Sequence, residues 1–316
     1  MDHPVIAALL PVLGVIAVGL LAGRRRWVGQ AGVRDLSNLV FLVLTPCLLF
    51  RTMSRVQAQA LDFTPVAAYF AGVGVVFAAT LAARGINRRA TVLALAATFS
   101  NTVMIGIPLV GLAFGEQGLV TLFTLYTLHT VVLLTLATLL MELAAQREAR
   151  AAEGGPPLRA ALATAVRKSL LHPVPLPILA GLAFAQTGLA LPAVVDKPLQ
   201  MLGSALGPMA LLLVGLSLAH LKLARELRGA LGLVLAKNLV MPALVAAAGV
   251  MLGVTGLPLV VVVVVAGLPA GANSLLFSQR YQVAEDQVTA TVGLSTLCSL
   301  ATVPLVMAAA TYLAGR

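Results

Sequence analysis

Two apolar stretches of this chain are interrupted at matching places. The first carries Phe99-Ser100-Asn101-Thr102-Val103-Met104-Ile105-Gly106-Ile107-Pro108, and the second Leu268-Pro269-Ala270-Gly271-Ala272-Asn273-Ser274. In lipid, a backbone group without a partner costs several kcal/mol, so a spanning segment is broken only where protein or a watery cavity covers the exposed peptide groups. Breaks in corresponding positions of two halves point to a carrier whose binding site lies at the midplane, between discontinuous helices.

The rest of the chain agrees with a membrane setting. Of its 316 residues, 60% are hydrophobic and 10% charged, with a mean hydropathy of +1.01, against roughly 45–50% apolar and about 25% charged in soluble domains. Ten spans are predicted, at roughly 5–22, 35–52, 64–83, 90–115, 118–141, 172–189, 198–219, 229–252, 257–279 and 287–313, each near the ~20 residues a bilayer requires. The net charge of +10 would suggest nucleic acid in a soluble protein, but here it sorts by topology. The odd-numbered loops hold sixteen Lys and Arg residues, while the even-numbered loops hold Arg51, Arg55 and Lys197. Positive residues are retained on the cytoplasmic side, which places both termini outside the cytoplasm in a multi-pass inner or plasma membrane protein. No nucleic-acid partner is expected; lipid headgroups are the partner of runs such as Arg24–Arg26. The start Met1-Asp2-His3-Pro4 lacks a positive leader region, so span one is expected to be retained. Cys47 and Cys298 show no metal-type spacing. Neither a metal nor a cofactor is expected.

A polar segment, residues 142–171, separates a first half, 1–141, from a second, 172–316. Five spans on each side force the second half to run inverted with respect to the first. Pro11 and Pro173, Gly19 and Gly181, and Pro46 and Pro208 are each 162 residues apart. Later the offset moves to about 169–170, with Ser100 meeting Pro269, Glu116 meeting Glu285 and Thr121 meeting Thr291. The predicted fold is therefore an all-α polytopic membrane protein with ten transmembrane helices in a 5+5 inverted repeat, helices four and nine being broken.

Around the breaks the chain resembles the auxin efflux carrier family, which includes bacterial members and the plant PIN carriers. Asn101-Thr102 followed by Gly106-Ile107-Pro108-Leu109 looks like that family's fourth-span motif. The segment Leu268 to Ser274, with Phe277, Tyr281 and Thr302 to Pro304, looks like its later counterpart. Plant carriers place a Pro before the fourth-span Asn, where this chain has Ser100. The resemblance implies a scaffold domain from helices 1, 2, 6 and 7, and a transport domain from helices 3–5 and 8–10. It further implies that broken helices four and nine cross at the substrate, that an elevator-like movement exposes the site alternately, and that the protein forms a homodimer.

The residues themselves define candidate roles. A half-helix beginning after a break presents unpaired N–H groups and partial positive charge, which favours anions. Asn101 and Asn273 each offer a donor and an acceptor to a substrate, or to a missing backbone bond. Thr102, Ser274, Pro269, Gly271 and Thr45 complete the substrate-binding candidates, and Ser100, Gly106, Pro108 and Pro269 shape the breaks. Lys237, deep in span eight, is a functional candidate by its depth alone. It could balance an anionic substrate, pair with Glu116 or Asp62, or snorkel. His129 and Lys237 are candidate proton relays.

These observations predict a secondary transporter of small organic anions, mono- or dicarboxylates, and no enzyme, since no nucleophile–base or paired-carboxylate motif falls within the spans. A ligand-sensing receptor on a transporter fold is one alternative. Another is a sodium-coupled organic anion symporter, as in the distantly similar bile-acid symporters, with backbone carbonyls at a break standing in for carboxylate ligands.

Overall fold

A computed structural model of the chain describes residues 4–57, 61–149, 175–219 and 227–315. Among these residues every regular element is a helix. Six helices are long and apolar enough to cross a bilayer: Gln30–Met53, Thr64–Arg84, Thr102–Met141, Ala193–Ala219, Leu227–Met251 and Glu285–Ala314. Leu10–Arg24, Leu176–Ala185 and Gly256–Gly267 are shorter apolar helices.

In chain order the helices are α1 (Pro4–Arg24), α2 (Gln30–Met53), α3 (Thr64–Arg84), α4 (Arg88–Thr98), α5 (Ile107–Ala149), α6 (Pro175–Ala185), α7 (Ala193–Ala219), α8 (Leu227–Met251), α9 (Gly256–Gly267), α10 (Ala272–Tyr281) and α11 (Glu285–Ala314). Asn87 caps α4 by accepting from the Ala90 N–H, which satisfies one of the donors a helix start leaves free. Gly115, at φ +61° and ψ −154°, bends α5 between the stretches predicted as spans four and five. That left-handed conformation is one glycine adopts without the Cβ penalty. Beyond the predicted end at residue 141, α5 continues to Ala149, because no Gly or Pro follows until Gly154. The predicted linker lies outside the described residues from position 150 onward.

Prolines explain three local widenings of the helices. The π-turns Val40–Leu44, Thr102–Gly106 and Ala236–Val240 each end two residues before a proline, namely Pro46, Pro108 and Pro242. In each, the residue before the proline donates five residues back: Thr45 to Val40, Ile107 to Thr102 and Met241 to Ala236. Proline has no N–H and its ring presses on the carbonyl four residues earlier. Widening the turn gives the backbone room for that ring.

Glycines bring helices into backbone contact. A Cβ at position 19 of α1 would stand 2.2 Å from the Leu212 carbonyl oxygen of α7, and one at position 215 of α7 would stand 2.0 Å from the Ile16 carbonyl oxygen. The Thr45–Met53 part of α2 packs against α6 and α7. Elsewhere α3 packs against α4 and α8, where a Cβ at Gly72 would stand 2.8 Å from the Val245 nitrogen. The valine run Val260 to Val265 of α9 is buried against α11, α8 and α5.

Candidate functional site

The helix α4 closes at Thr98, and Phe99 is extended at φ −78° and ψ 114°. Correspondingly, α9 closes at Gly267, and Leu268 is extended at φ −61° and ψ 151°. The two short extended segments that follow lie antiparallel and pair at Ser100 and Ala270. The Asn101 N–H donates to the Pro269 carbonyl at 2.8 Å, and the Gly271 N–H donates to the Phe99 carbonyl at 2.7 Å. Each interruption thereby supplies the other with backbone partners that its own helix has lost. Gly271 permits the approach, since a Cβ there would stand 2.9 Å from the Ser100 carbonyl oxygen.

A cavity of about 230 Å³ opens beside this pairing. From the first interruption it is lined by Ser100, Asn101 and Thr102, from the second by Gly271 and Asn273, and from α2 by Ser37 and Asn38. Phe41, Phe99, Tyr126 and Leu276 supply apolar wall. None of its lining residues carries a charged side chain. The π-turn that begins at Thr102 and the helix α10 that begins at Ala272 both start at the cavity wall.

The sequence candidates divide according to where the structure puts them. Asn101, Thr102, Gly271 and Asn273 share the cavity with Ser100. Asn101 and Asn273 are half-buried, and their carboxamides make no hydrogen bond among the described residues. Thr102 is buried, its hydroxyl directed to the Ser100 carbonyl at 3.4 Å. The Ser274 hydroxyl turns back to the Gly271 carbonyl at 2.7 Å. Pro269 contributes its carbonyl to the pairing. Gly106 packs on the opposite interruption, where a Cβ would stand 2.7 Å from a Leu268 methyl. Pro108 instead faces Gly207 of α7.

Thr45, Lys237 and His129 lie outside the cavity lining. The Thr45 hydroxyl donates to Val40 at 2.8 Å, filling the α2 π-turn. Lys237 is fully buried, and its ammonium donates to the carbonyls of Ala266 at 2.6 Å and Leu268 at 2.7 Å. Its charge therefore meets the C-terminal end of α9, which carries partial negative charge, rather than Glu116 or Asp62. Glu116 lies 4.0 Å from Arg51, and Asp62 accepts from the Thr64 N–H at 2.8 Å.

His129 supports the first interruption from behind. Its Nδ1 is 3.1 Å from the Tyr69 hydroxyl, which is 3.3 Å from the Ser100 hydroxyl. Ser100 donates in turn to the Val265 carbonyl at 2.8 Å. Phe99 and Tyr126 both pack against the imidazole, at centroid distances of 4.4 and 5.9 Å. Its Nε2 is buried and has no hydrogen-bond partner among the described residues. The second interruption is held by Asn238 and Ser295: the Ala270 N–H donates to Ser295 Oγ at 2.9 Å, and Ser295 Oγ donates to Asn238 Oδ1.

Ser37 and Asn38 were not among the sequence candidates. They sit in a polar stretch at the start of α2 that reads as an ordinary membrane-interface segment. Tyr69, Asn238 and Ser295 gave no signal either, since single hydroxyls and amides are common in spans. For Asn238 the adjacent Lys237 was a clue: two neighbouring polar residues deep in an apolar run each call for a polar partner.

Comparison with known proteins follows the same direction. The family described as "Membrane transport protein" matches residues 4–307. The chain is 26% identical over 303 residues to a protein of Rhizobium meliloti (strain 1021) named "Putative malonate transporter", an alignment covering 93% of this chain and 92% of that one. Helices that can cross a bilayer, a polar cavity between paired helix ends, and a family match over nearly the whole length lead to one statement: the chain belongs to the membrane transport proteins of the auxin efflux carrier family, and is a transporter rather than an enzyme.

Proposed function

We propose that the protein is a secondary carrier of small organic anions, mono- or dicarboxylates, bound in the cavity where the two interruptions pair. The observation that carries this reading is the convergence of two helix starts and two unengaged carboxamides, Asn101 and Asn273, on a cavity lined by no acidic side chain. Helix N-termini and amide donors favour negative charge. At about 230 Å³, the cavity is below the roughly 300–1,000 Å³ of drug-sized pockets. That suits a solute of few carbon atoms, and the malonate in the relative's name is a three-carbon dicarboxylate.

In this reading the chain makes ten spans in a 5+5 inverted repeat, with both termini outside the cytoplasm. The stretches predicted as spans four and nine are the broken helices. Helices α1, α2, α6 and α7 form a scaffold, supported by the glycine contacts between α1 and α7 and by the packing of α2 on α6 and α7. The remaining helices form the moving part, which carries both interruptions past the α2 wall in an elevator-like step. Two copies associate through the scaffold.

The test is counterflow of radiolabelled malonate and related carboxylates in proteoliposomes. Wild-type protein should exchange at least one of them saturably. Asn101→Ala and Asn273→Ala should each lose saturable exchange while purifying as monodisperse, normally melting proteins. Undiminished exchange by both variants would remove the cavity from the mechanism.

A further inference from the structure

Lys237 is a fully buried lysine that the proposed carboxylate site does not use. Its surroundings are unusual for a lysine: among the described residues its Nζ hydrogen-bonds to backbone carbonyls alone, Ala266 at 2.6 Å and Leu268 at 2.7 Å. These carbonyls are in need of donors for a local reason. α9 ends at Gly267, Leu268 is extended, and Pro269 has no N–H to return to the last turn. The π-turn Ala236–Val240 sets two successive side chains, Lys237 and Asn238, inward against the same broken segment. Asn238 serves the Ala270 N–H through Ser295. Lys237 is left to serve the carbonyl side.

A cluster of backbone carbonyls at the C-terminal end of an unwound helix is what discontinuous-helix carriers use to hold a free monovalent cation. The acidic side chains that the structure describes have other places: Asp35 is exposed on α2, Asp62 accepts from the Thr64 N–H, Glu116 faces Arg51, Asp196 pairs with Arg51 and Arg55, and Glu285 and Asp286 lie in the first turn of α11. The carbonyls therefore meet a positive charge delivered by the chain itself.

We propose that the Lys237 ammonium is a tethered cation occupying a carbonyl-lined ion site behind the second interruption, so that the wild-type carrier needs no free monovalent cation and loss of the side chain opens the site to one. Its transport consequence rests on the carboxylate reading above. The occupancy of the site by a cation does not.

The experiment uses purified full-length protein and two probes, methylammonium and sodium, each against choline at constant ionic strength. Lys237→Ala should melt several degrees higher in methylammonium or sodium than in choline, with saturation, whereas wild type should melt alike in all three. Lys237→Met, whose side chain fills the space without charge, should show no cation response. In proteoliposomes, wild-type malonate counterflow should change less than twofold when sodium is replaced by choline. Lys237→Ala should fall at least tenfold in choline and recover in the smaller cations. The proposal is overturned if Lys237→Ala shows no cation-dependent melting, if it stays aggregated in methylammonium as in choline, or if wild type itself requires sodium. Asn101→Ala separates the two readings: it tests the carboxylate site through transport and should leave the melting pattern of wild type unchanged.

Discussion

Ser100 and Asn101 are neighbours with opposite tasks. Ser100 is buried and donates to Val265 across to α9, while Asn101 gives its backbone to the pairing and leaves its carboxamide facing the cavity. Ser100→Ala should therefore act on stability: it takes from the Val265 carbonyl one of its two donors, leaving the Leu268 N–H, and from Tyr69 one of its partners, at a cost of about 0.5–1.5 kcal/mol. A melting curve of the purified variant checks this, with the melting temperature lowered by several degrees and residual transport following the folded fraction. Asn101→Ala and Asn273→Ala should do the reverse. A lost hydrogen bond to a charged ligand is worth about 1.5–3 kcal/mol, or roughly 10- to 150-fold in affinity, with melting unchanged. The asparagines were legible in the sequence because an amide inside an apolar run is conspicuous. The direction of Lys237 was not legible, because a five-residue turn shifts the phase of every later side chain on α8 and no periodicity argument anticipates it.

At the scale of elements, the two interruptions were legible as clusters of Asn, Gly and Pro in apolar stretches, and the helix ends at Thr98 and Gly267 immediately precede them. That the extended segments pair with each other was not legible from composition. It depends on residues 170 apart in the chain, Ser100 and Ala270, meeting in register. Gly271 is the position that tests the pairing. A methyl group there would stand 2.9 Å from the Ser100 carbonyl and 3.0 Å from the Phe99 ring, and both are held from behind by Val265, Tyr69 and His129. Gly271→Ala should cost about 1–3 kcal/mol as overpacking does and cut transport at least tenfold. Both effects should be smaller for Gly74→Ala, where a Cβ meets nothing within 4 Å; equal effects would mean that close approach at the pairing is unimportant.

For the whole molecule, the charge pattern predicts a topology, and the structure shows what two of its exceptions bind. Arg51 lies in the last turn of α2 and Arg55 just beyond it, and both bind Asp196 in the first turn of α7, Arg51 through two bonds of 2.8 and 3.1 Å. This cluster ties the end of α2 to the start of α7, with Glu116 of α5 at 4.0 Å from Arg51. The chain thus has close glycine contacts between α1 and α7, an ionic cluster joining α2 to α7, and paired helix ends beside a polar cavity. The central claim is that a transported carboxylate occupies that cavity. Leu276 lines it and is exposed, whereas Met251 is exposed outside its lining. In protein carrying Cys47→Ala and Cys298→Ala, the rate at which a small maleimide modifies Leu276→Cys in proteoliposomes should fall as malonate, or whichever carboxylate exchanges, is raised. The half-point should match half-saturation of transport, with Met251→Cys unaffected. Saturable transport with an unchanged rate of modification at Leu276→Cys would contradict the claim.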